Sequence, residues 1–187
     1  MKIAENFLIE HNLWAVKEQS DFQNLLDMKV FTRLGKDKEG RETMLARPSQ
    51  FRPEATNAEE VISAIMWIIS RISATMPAQF DNFNVIADMT DLGWANFDRN
   101  YMHLRLQMGQ TTPENFHKMY VINYGTIFNA IATLMWPFVP TRVQQKVKMI
   151  PIEALLEDFH LDQLPSDCGG TMPFTILETL QRGPNIP

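Results

Sequence analysis

The first candidates for chemistry in this chain of 187 residues are its four histidines and its single cysteine. His11, His103, His117 and His160 show neither an HxxxH spacing nor a nearby cysteine partner, so they lack the ligand pattern of a zinc site. Cys168 stands beside two glycines with no base placed to activate it, and we interpret it as a small space-filling residue. The sequence therefore predicts no metal site and no cofactor.

Two other patterns resemble parts of catalytic sites. Gly35-Lys36 has the ending of a phosphate-binding loop, but it lacks the earlier glycine and the following serine or threonine that such a loop needs. The GxSxG, GxGxxG and HExxH motifs are also absent. Asp88 ends an apolar run, and an enzyme interpretation would be a hydrolase that uses Asp88 and His117. We instead interpret Asp88 as a structural acid, and we predict no catalytic residue and no enzymatic activity.

The stretch that says most about function covers residues 111–149. An apolar run at residues 119–124 predicts a buried strand, and residues 126–136 predict a helix that ends before a proline. At about 100° per residue, the polar side chains of this helix share one narrow stripe. Its apolar face is wider than one packing partner needs. We expect the core on one side of the helix and a ligand, a second protein or a membrane on the other.

Strands and helices alternate along the rest of the chain. Short strands are predicted at residues 28–33, 42–46, 83–88 and 147–150, and helices at residues 57–73, 97–108 and 152–159. Asn57 caps the clearest of these helices, and Gly40 suits the charged turn between the first two strands. This order predicts an α/β domain with a mixed, largely parallel β-sheet and flanking helices.

The composition of the chain limits the kinds of partner that it could bind. A hydrophobic fraction of 45% with 21% charged residues is typical of a globular domain, and a net charge of −5 gives no overall basic surface for nucleic acid. No apolar run reaches the ~18 residues that span a bilayer, and the N-terminus carries no secretory signal. A single cysteine suits a reducing compartment. We expect a cytoplasmic protein whose membrane contact is peripheral and transient.

Several short motifs occur in one order around the central helix. They are residues 37–41 (DKEGR), residues 85–88 (VIAD), Pro113-Glu114, residues 121–123 (VIN), Pro137-Phe138, Lys146-Val147, residues 163–165 (QLP) and Gly169-Gly170. This series resembles the CRAL-TRIO family, the lipid-binding domains of phosphatidylinositol-transfer, retinaldehyde-binding and α-tocopherol-transfer proteins. The resemblance covers residues 28–171, most of the chain.

The resemblance implies a sheet with an apolar lipid pocket that a mobile helix closes. It divides the chain into an N-terminal helix over residues 1–20, a lipid-binding domain over residues 21–171 and a tail over residues 172–187. The N-terminal helix would be a remnant of the helical bundle that usually precedes such domains. The sheet would form the floor of the pocket and the helix at residues 126–136 its lid. The predicted lining residues are Phe83, Val85, Ala87, Ile122, Ile127, Phe128, Ile131, Leu134, Met135 and Phe138.

By the same resemblance, Glu114 and Lys146 stand where phosphatidylinositol-transfer members hold the inositol phosphate. Two other parts of that headgroup set are missing. Val143 replaces the family's threonine three residues before the lysine, and the family's basic residue from the preceding helical bundle has no counterpart in this sequence. The positions that hold choline phospholipids are Phe83 and Val85, which carry no hydroxyl. We therefore favour a neutral hydrophobe over a phosphoinositide and keep both as alternatives.

The function that these patterns favour is binding of a hydrophobic lipid or isoprenoid, extended to its transfer between membranes. The alternative belongs to another class. It is a protein–protein interaction module that uses the apolar helix and carries little or no ligand.

Overall fold

The computed structural model describes residues 23–111 and 116–172. Strands and helices alternate along most of these residues. In order they are α1 (Gln23–Asp27), β1 (Phe31–Lys36), β2 (Glu42–Ala46), α2 (Ala58–Thr75), β3 (Phe83–Asp88), α3 (Arg99–Thr111), β4 (Phe116–Ile122), α4 (Thr126–Met135), α5 (Thr141–Gln144), β5 (Val147–Met149) and α6 (Leu155–Asp158). A 3-10 helix, Trp136–Phe138, directly follows α4. None of the described helices is long and apolar enough to cross a membrane.

The strands form one five-stranded sheet in which their spatial order is their order in the chain. β1 and β2 form an antiparallel hairpin, and each later strand runs parallel to the one before it. Parallel neighbours need a crossover connection, which the helices between the strands supply. The prediction of a mixed, largely parallel sheet with flanking helices is confirmed.

The turn between β1 and β2 is built on Asp37. Its Oδ1 accepts hydrogen bonds from the backbone N of Glu39 (3.0 Å) and of Arg41 (2.8 Å). Its Oδ2 accepts from the Arg41 guanidinium (2.9 Å) and from Asn84 Nδ2 on β3 (2.6 Å). Gly40 adopts a φ of +91°, in the left-handed region that glycine tolerates best. The charged turn therefore lies where the sequence placed it.

The boundaries of two predicted strands are wrong by a few residues. The first strand begins at Phe31 because the chain before it is still closing α1, where Lys29 N donates to the carbonyl of Leu26 (3.0 Å). β4 begins at Phe116 and ends at Ile122, since Asn123 turns the chain with a φ of 52°. The predicted N-terminal helix, the tail after residue 172 and the helix start at residues 112–114 lie outside the described residues.

α2 is fixed at its start by a capping box. Asn57 Oδ1 accepts from the backbone N of Glu60 (2.8 Å), and the Glu60 carboxylate accepts from the backbone N of Asn57 (3.3 Å). Farther along, Ile62, Ile65 and Ile72 are almost completely buried. The helix predicted from this cap and from the apolar spacing is confirmed.

The sheet buries side chains on both faces. On the face toward α2, the buried strand residues are Met44, Ala46, Phe83, Val85 and Phe116. On the opposite face they include Leu45, Ile86, Tyr120 and Ile122, which pack against Leu155, Phe159 and Leu164 of the segment after β5. One face is therefore covered by long helices and the other by the short turns of residues 150–172.

A bulge near the start of β4 changes which of its side chains face α2. Phe116 pairs with Phe83, but Met119 pairs with Val85, so β4 has one residue more than β3 over the same length. Successive side chains of a strand point to opposite faces. The extra residue therefore lets Phe116 and Met119 lie on the same face, where both pack against the cluster below α2.

Candidate functional site

A cavity of about 340 Å³ lies between the sheet and the helices on one of its faces. The sheet forms the floor, through apolar side chains that point toward this face. They are Phe31 of β1, Met44 and Ala46 of β2, Phe83, Val85 and Ala87 of β3, and Phe116 and Met119 of β4. A ligand on this floor meets apolar side chains only.

Three helices form the walls of the cavity. α2 contributes Val61, Ile65 and Ile69, and α4 contributes Phe128 and Ile131. The third wall is α3 with the segment before it, through Asn96, Phe97, Asp98, Tyr101, Met102 and Arg105. Positions 98, 101, 102 and 105 recur at helical spacing, so a single face of α3 lines the cavity.

The polar lining residues are concentrated on the α3 wall, and two of them hold the backbone there. Asn96 Oδ1 accepts from the backbone N of Gly93 (2.9 Å), and its Nδ2 donates to two backbone carbonyls of the loop after β2 (2.9 and 3.0 Å). Asp98 Oδ1 accepts from the backbone N of Tyr101 (2.7 Å) at the start of α3. These two side chains fix the shape of the wall.

Tyr101 and Arg105 lie one turn apart on α3, and the Arg105 guanidinium is close enough to the Tyr101 hydroxyl to act on its pKa. The Tyr101 ring also packs against Phe51, with ring centroids 5.7 Å apart. Burial raises the pKa of the Tyr101 hydroxyl, and the Arg105 guanidinium lowers it by less. The hydroxyl therefore stays protonated at neutral pH, so the wall presents a phenol and a guanidinium to the cavity.

α4 is attached to the rest of the molecule at both of its ends. Before the helix, Asn123 Nδ2 donates to Asp88 Oδ1 at the end of β3 (3.0 Å). After it, Gln144 Nε2 donates to the carbonyls of Trp136 (3.0 Å) and Val139 (2.9 Å). These contacts fix the two points at which the chain enters and leaves the helix.

Between those points, α4 is only loosely packed. None of its residues is fully buried. Phe128 and Ile131 face the cavity, whereas Leu134 is 65% exposed and Phe138, just after the helix, is 61% exposed. The predicted two-sided apolar helix is thus present, with one side on the cavity and one side open.

Asp88 fastens the loops at this end of the sheet. Its Oδ1 accepts from the backbone N (3.1 Å) and the Oγ1 (2.6 Å) of Thr90, and its Oδ2 lies 3.5 Å from Arg47 Nε. Burial raises the pKa of Asp88, but the hydrogen bonds from Thr90 and Asn123 and the charge of Arg47 outweigh it and leave the pKa below its ordinary value. These contacts agree with the predicted structural role.

The hydrolase alternative has no assembled site. Asp88 pairs with Ile122 at the end of β4, whereas His117 lies at the beginning of that strand. A rise of about 3.3 Å per residue puts the two residues on the order of 15 Å apart. Burial and the charges of Arg41 and Lys118 lower the pKa of His117.

Cys168 and the acidic residues offer no reactive site in the described parts of the chain. Cys168 is buried, and burial together with the charge of Asp167 raises the pKa of its thiol to about 12. The thiol is therefore neutral at physiological pH and is no nucleophile. Within residues 23–111 and 116–172, no three His, Cys, Asp or Glu side chains are grouped so as to hold a metal ion.

Half of the predicted pocket residues line the cavity, namely Phe83, Val85, Ala87, Phe128 and Ile131. The prediction for Ile122 is wrong in its face: this side chain packs on the opposite side of the sheet, beside Tyr120 and Leu155. Because side chains alternate along β4, Met119 faces the cavity instead.

The other predicted pocket residues lie on α4 or just after it but outside the cavity lining. They are Ile127, Leu134, Met135 and Phe138. Ile127 and Met135 are partly buried, whereas Leu134 and Phe138 are exposed. The apolar residues of this region therefore divide between the cavity and the outer surface of the molecule.

Of the two headgroup candidates, Lys146 is the one that lies within the described residues. Its Nζ donates to the backbone carbonyl of Phe116 (3.0 Å) and lies 5.2 Å from the centre of the Phe116 ring. Val143, three residues earlier, packs against the core. Glu114 lies outside the described residues, so the role of this pair in headgroup binding stays a prediction.

The sequence analysis did not assign any residue of the α3 wall to the pocket. Their signal was available, since Asp98, Tyr101, Met102 and Arg105 recur at the spacing of one helical face. That face mixes polar and apolar side chains, so it does not stand out as a buried stripe. Only the position of α3 beside α2 and the sheet turns this mixed face inward.

This arrangement can be compared with known proteins. A family model described as the CRAL/TRIO domain matches residues 26–170. The chain belongs to the CRAL/TRIO family. The resemblance drawn from its motifs is thereby confirmed.

A solved CRAL/TRIO-like fold agrees with this assignment. The crystal structure of Sfh5 matches with a TM-score of 0.67, over 94% of this chain and 67% of the Sfh5 chain, at 13% sequence identity. At this identity the likeness concerns the fold alone. Membership in the CRAL/TRIO family, whose domains bind lipids, supports lipid binding as the general function of the chain.

Proposed function

We propose that this CRAL/TRIO protein binds one hydrophobic molecule in the cavity between its sheet and α2, α3 and α4, and transfers that molecule between membranes. The observation that carries the proposal is the cavity itself, of about 340 Å³ with an entirely apolar floor. Binding pockets for small molecules occupy about 300–1,000 Å³ and are lined mainly by apolar side chains.

The energetics favour an occupied cavity. An enclosed dry void costs about 24 cal/mol per Å³, so this volume, closed by α4 and left empty, would cost roughly 8 kcal/mol. That is comparable to the net stability of a whole domain, about 5–15 kcal/mol. An apolar cavity of this kind also holds water poorly. We therefore expect a ligand in the resting protein.

In this proposal α4 is the lid. The chain is hydrogen-bonded to other segments just before α4, at Asn123, and just after it, at Trp136, and the helix faces the cavity through Phe128 and Ile131. A helix without a fully buried side chain loses little packing when it moves outward. The lid can therefore open while the sheet stays folded, which exchange of a buried ligand requires.

The same helix supports contact with a membrane. Leu134, Trp136 and Phe138 are exposed on or just after α4, and aromatic side chains favour the boundary between lipid and water. Arg142 and Lys148 follow and are exposed, and each basic residue near an anionic surface contributes about 1 kcal/mol. We propose a cytoplasmic protein that docks transiently on membranes through this surface.

The alternative, an interaction module with little or no ligand, would use the same exposed side chains to bind a protein. A module of that kind needs no cavity, and a volume of about 340 Å³ speaks for the ligand. The exposed surface of α4 suits both alternatives, so it does not distinguish them.

Native mass spectrometry of the purified protein, followed by solvent extraction, tests the proposal. We expect a mass increment of one apolar molecule per chain and recovery of that molecule in the organic phase. A ligand-free mass, together with no rise in melting temperature on adding any lipid class, would refute ligand binding and favour the interaction module.

A further inference from the structure

The side chains on the cavity floor form three rows that run across the strands. Paired residues of neighbouring strands lie side by side, so the pairing register assigns each floor residue to a row. The first row, at the carboxyl ends of β2 and β3, is Phe31, Ala46 and Ala87, the middle row is Met44, Val85 and Met119, and the last row, at the amino ends of β3 and β4, is Phe83 and Phe116. Successive rows stand two residues apart, which is about 7 Å along a strand.

The side chains of β2, β3 and β4 become smaller from the last row to the first. The last row consists of Phe83 and Phe116, which form one packed cluster with Ile68 and Ile72 of α2. In the first row, Ala46 pairs directly with Ala87. Because a methyl group extends least above the backbone, the floor is lowest over these two alanines. We call the space above Ala46 and Ala87 the alanine trough.

The trough lies at the end of the sheet where a ligand has the most room. In open α/β sheets, ligands bind in the crevice at the carboxyl ends of the strands. At this end the cavity is lined by Met89 and Leu92 of the loop after β3, and by Phe128 of α4, which begins just after β4. The other end of the floor is closed by the packing of α2 on the phenylalanine row.

The dimensions of the trough suit one extended chain. The floor reaches from β1 to β4, and three strand spacings of about 4.8 Å make its width roughly 14 Å. An extended chain advances about 1.2 Å per bond, so about twelve bonds span this width. Along the strands, the middle row limits the trough to about 7 Å. A fused ring system or a second chain is broader and would have to rise over the side chains of Met44 and Val85.

We propose that the ligand is a slender single-chain hydrophobe that lies across the strands over Ala46 and Ala87, and that these two alanines determine which hydrophobes fit. The volume of the cavity, about 340 Å³, agrees with this, since it is near the lower end of the range for binding pockets, about 300–1,000 Å³. This inference rests on the proposed function, because it names the ligand class and the specificity-determining residues of the same cavity.

Ala46→Leu and Ala87→Leu test the trough, because each added side chain fills it. Calorimetric titration of the full chain after lipid removal should show at least about tenfold weaker binding of hexadecanol, since the leucine and the chain would occupy the same space. The melting temperature of the ligand-free protein should rise by about 2–6 °C, because the leucine fills an apolar space. An alanine with a structural role only would not give these opposite effects on binding and stability.

Ala74→Leu is the matched control, because Ala74 is exposed on α2 and does not line the cavity. It should bind hexadecanol within about twofold of the unchanged protein and change the melting temperature by no more than about 2 °C. If a leucine variant does not fold, the smaller substitutions Ala46→Val and Ala87→Val take its place.

The shape of the trough can also be tested without a substitution. In a series of straight-chain alcohols, affinity should rise about fourfold per methylene from octanol to dodecanol, as each added group is buried, and more slowly beyond dodecanol. Cholesterol, whose fused rings are broader than one chain, should bind at least about tenfold more weakly than hexadecanol.

Cholesterol binding as tight as that of hexadecanol would overturn the inference and leave the proposed function intact. Unchanged hexadecanol binding in the folded Ala46→Leu and Ala87→Leu proteins would do the same. A loss of both binding and melting temperature would give the alanines a structural role only, and would also overturn it. Failure of every hydrophobic probe to bind would instead refute the proposed function.

Discussion

At the residue scale, Ile131 and Leu134 share one helix but not one environment. Ile131 lines the cavity, whereas Leu134, less than one turn later, is 65% exposed. We expect Ile131→Asp to abolish ligand binding, because an ionised carboxylate in an apolar cavity costs several kcal/mol without a partner. Leu134→Asp should bind within about twofold of the unchanged protein. The measurement is the lipid retained per chain in native mass spectra.

Equal lipid content in both aspartate variants would show that α4 is not a wall of the binding site. A melting curve for each variant separates lost binding from lost folding. The comparison is sharp because the two substitutions add the same charge to the same helix.

Lys146 makes a structural contact, and this gives a second expectation at the same scale. Its ammonium donates to the carbonyl of Phe116 and stands over the Phe116 ring. Lys146→Ala should therefore retain most of the ligand and lose about 1 kcal/mol of stability, as for a typical hydrogen bond. Native mass spectra check the retained ligand and melting curves check the stability. A phosphatidylinositol-transfer assay checks the headgroup role. Phosphatidylinositol transfer that vanishes with this substitution alone would restore the headgroup role.

How far single residues could be assigned from the sequence depended on local rules. Alternation along a strand correctly placed Phe83, Val85 and Ala87 on one face. For β4, alternation alone did not tell which set of alternate residues faces the cavity, and Ile122 was assigned to the pocket instead of Met119. Arg105 stayed unassigned, because the direction in which a mixed helix face points depends on tertiary packing.

At the element scale, the best predicted segments carry their own start and stop signals. α2 has its capping box, β3 its bordering turns, and α4 the proline that follows it. The bulge of β4 has no such signal, because it depends on how β4 meets β3. Sequence patterns therefore predict the elements well and their relative register poorly.

Membrane docking by the exposed surface of α4 can be tested through the fluorescence of Trp136. In a variant that keeps Trp136 and replaces the other three tryptophans by phenylalanine, emission should shift to the blue on adding anionic liposomes, since the indole enters the lipid boundary. The matched control keeps Trp67, which is partly buried against the core under α2, and should not respond. An unchanged spectrum of a folded Trp136 variant would argue against membrane docking by α4.

At the scale of the whole molecule, ligand and stability are linked. A ligand that binds only the folded state stabilises it by about 2.7 kcal/mol at a free concentration one hundred times its Kd. For a chain of this length that corresponds to roughly 5–10 °C in melting temperature. Removing the lipid should lower the melting temperature by about this amount, and adding it back should restore it, as differential scanning calorimetry would measure. Identical melting curves would mean that the cavity holds no stabilising ligand.

The order of the strands, which is their order in the chain, also governs how the sheet assembles. Each strand pairs with the strand synthesised just before it. The only loop that must close at each step is therefore the segment between these two strands, and the entropy cost of closure grows slowly with loop length. The sheet can therefore grow strand by strand from the β1–β2 hairpin while synthesis is still under way. Pulsed hydrogen exchange on ribosome-bound chains of increasing length should show β2 and β3 protected before β5, the last of these strands to be synthesised.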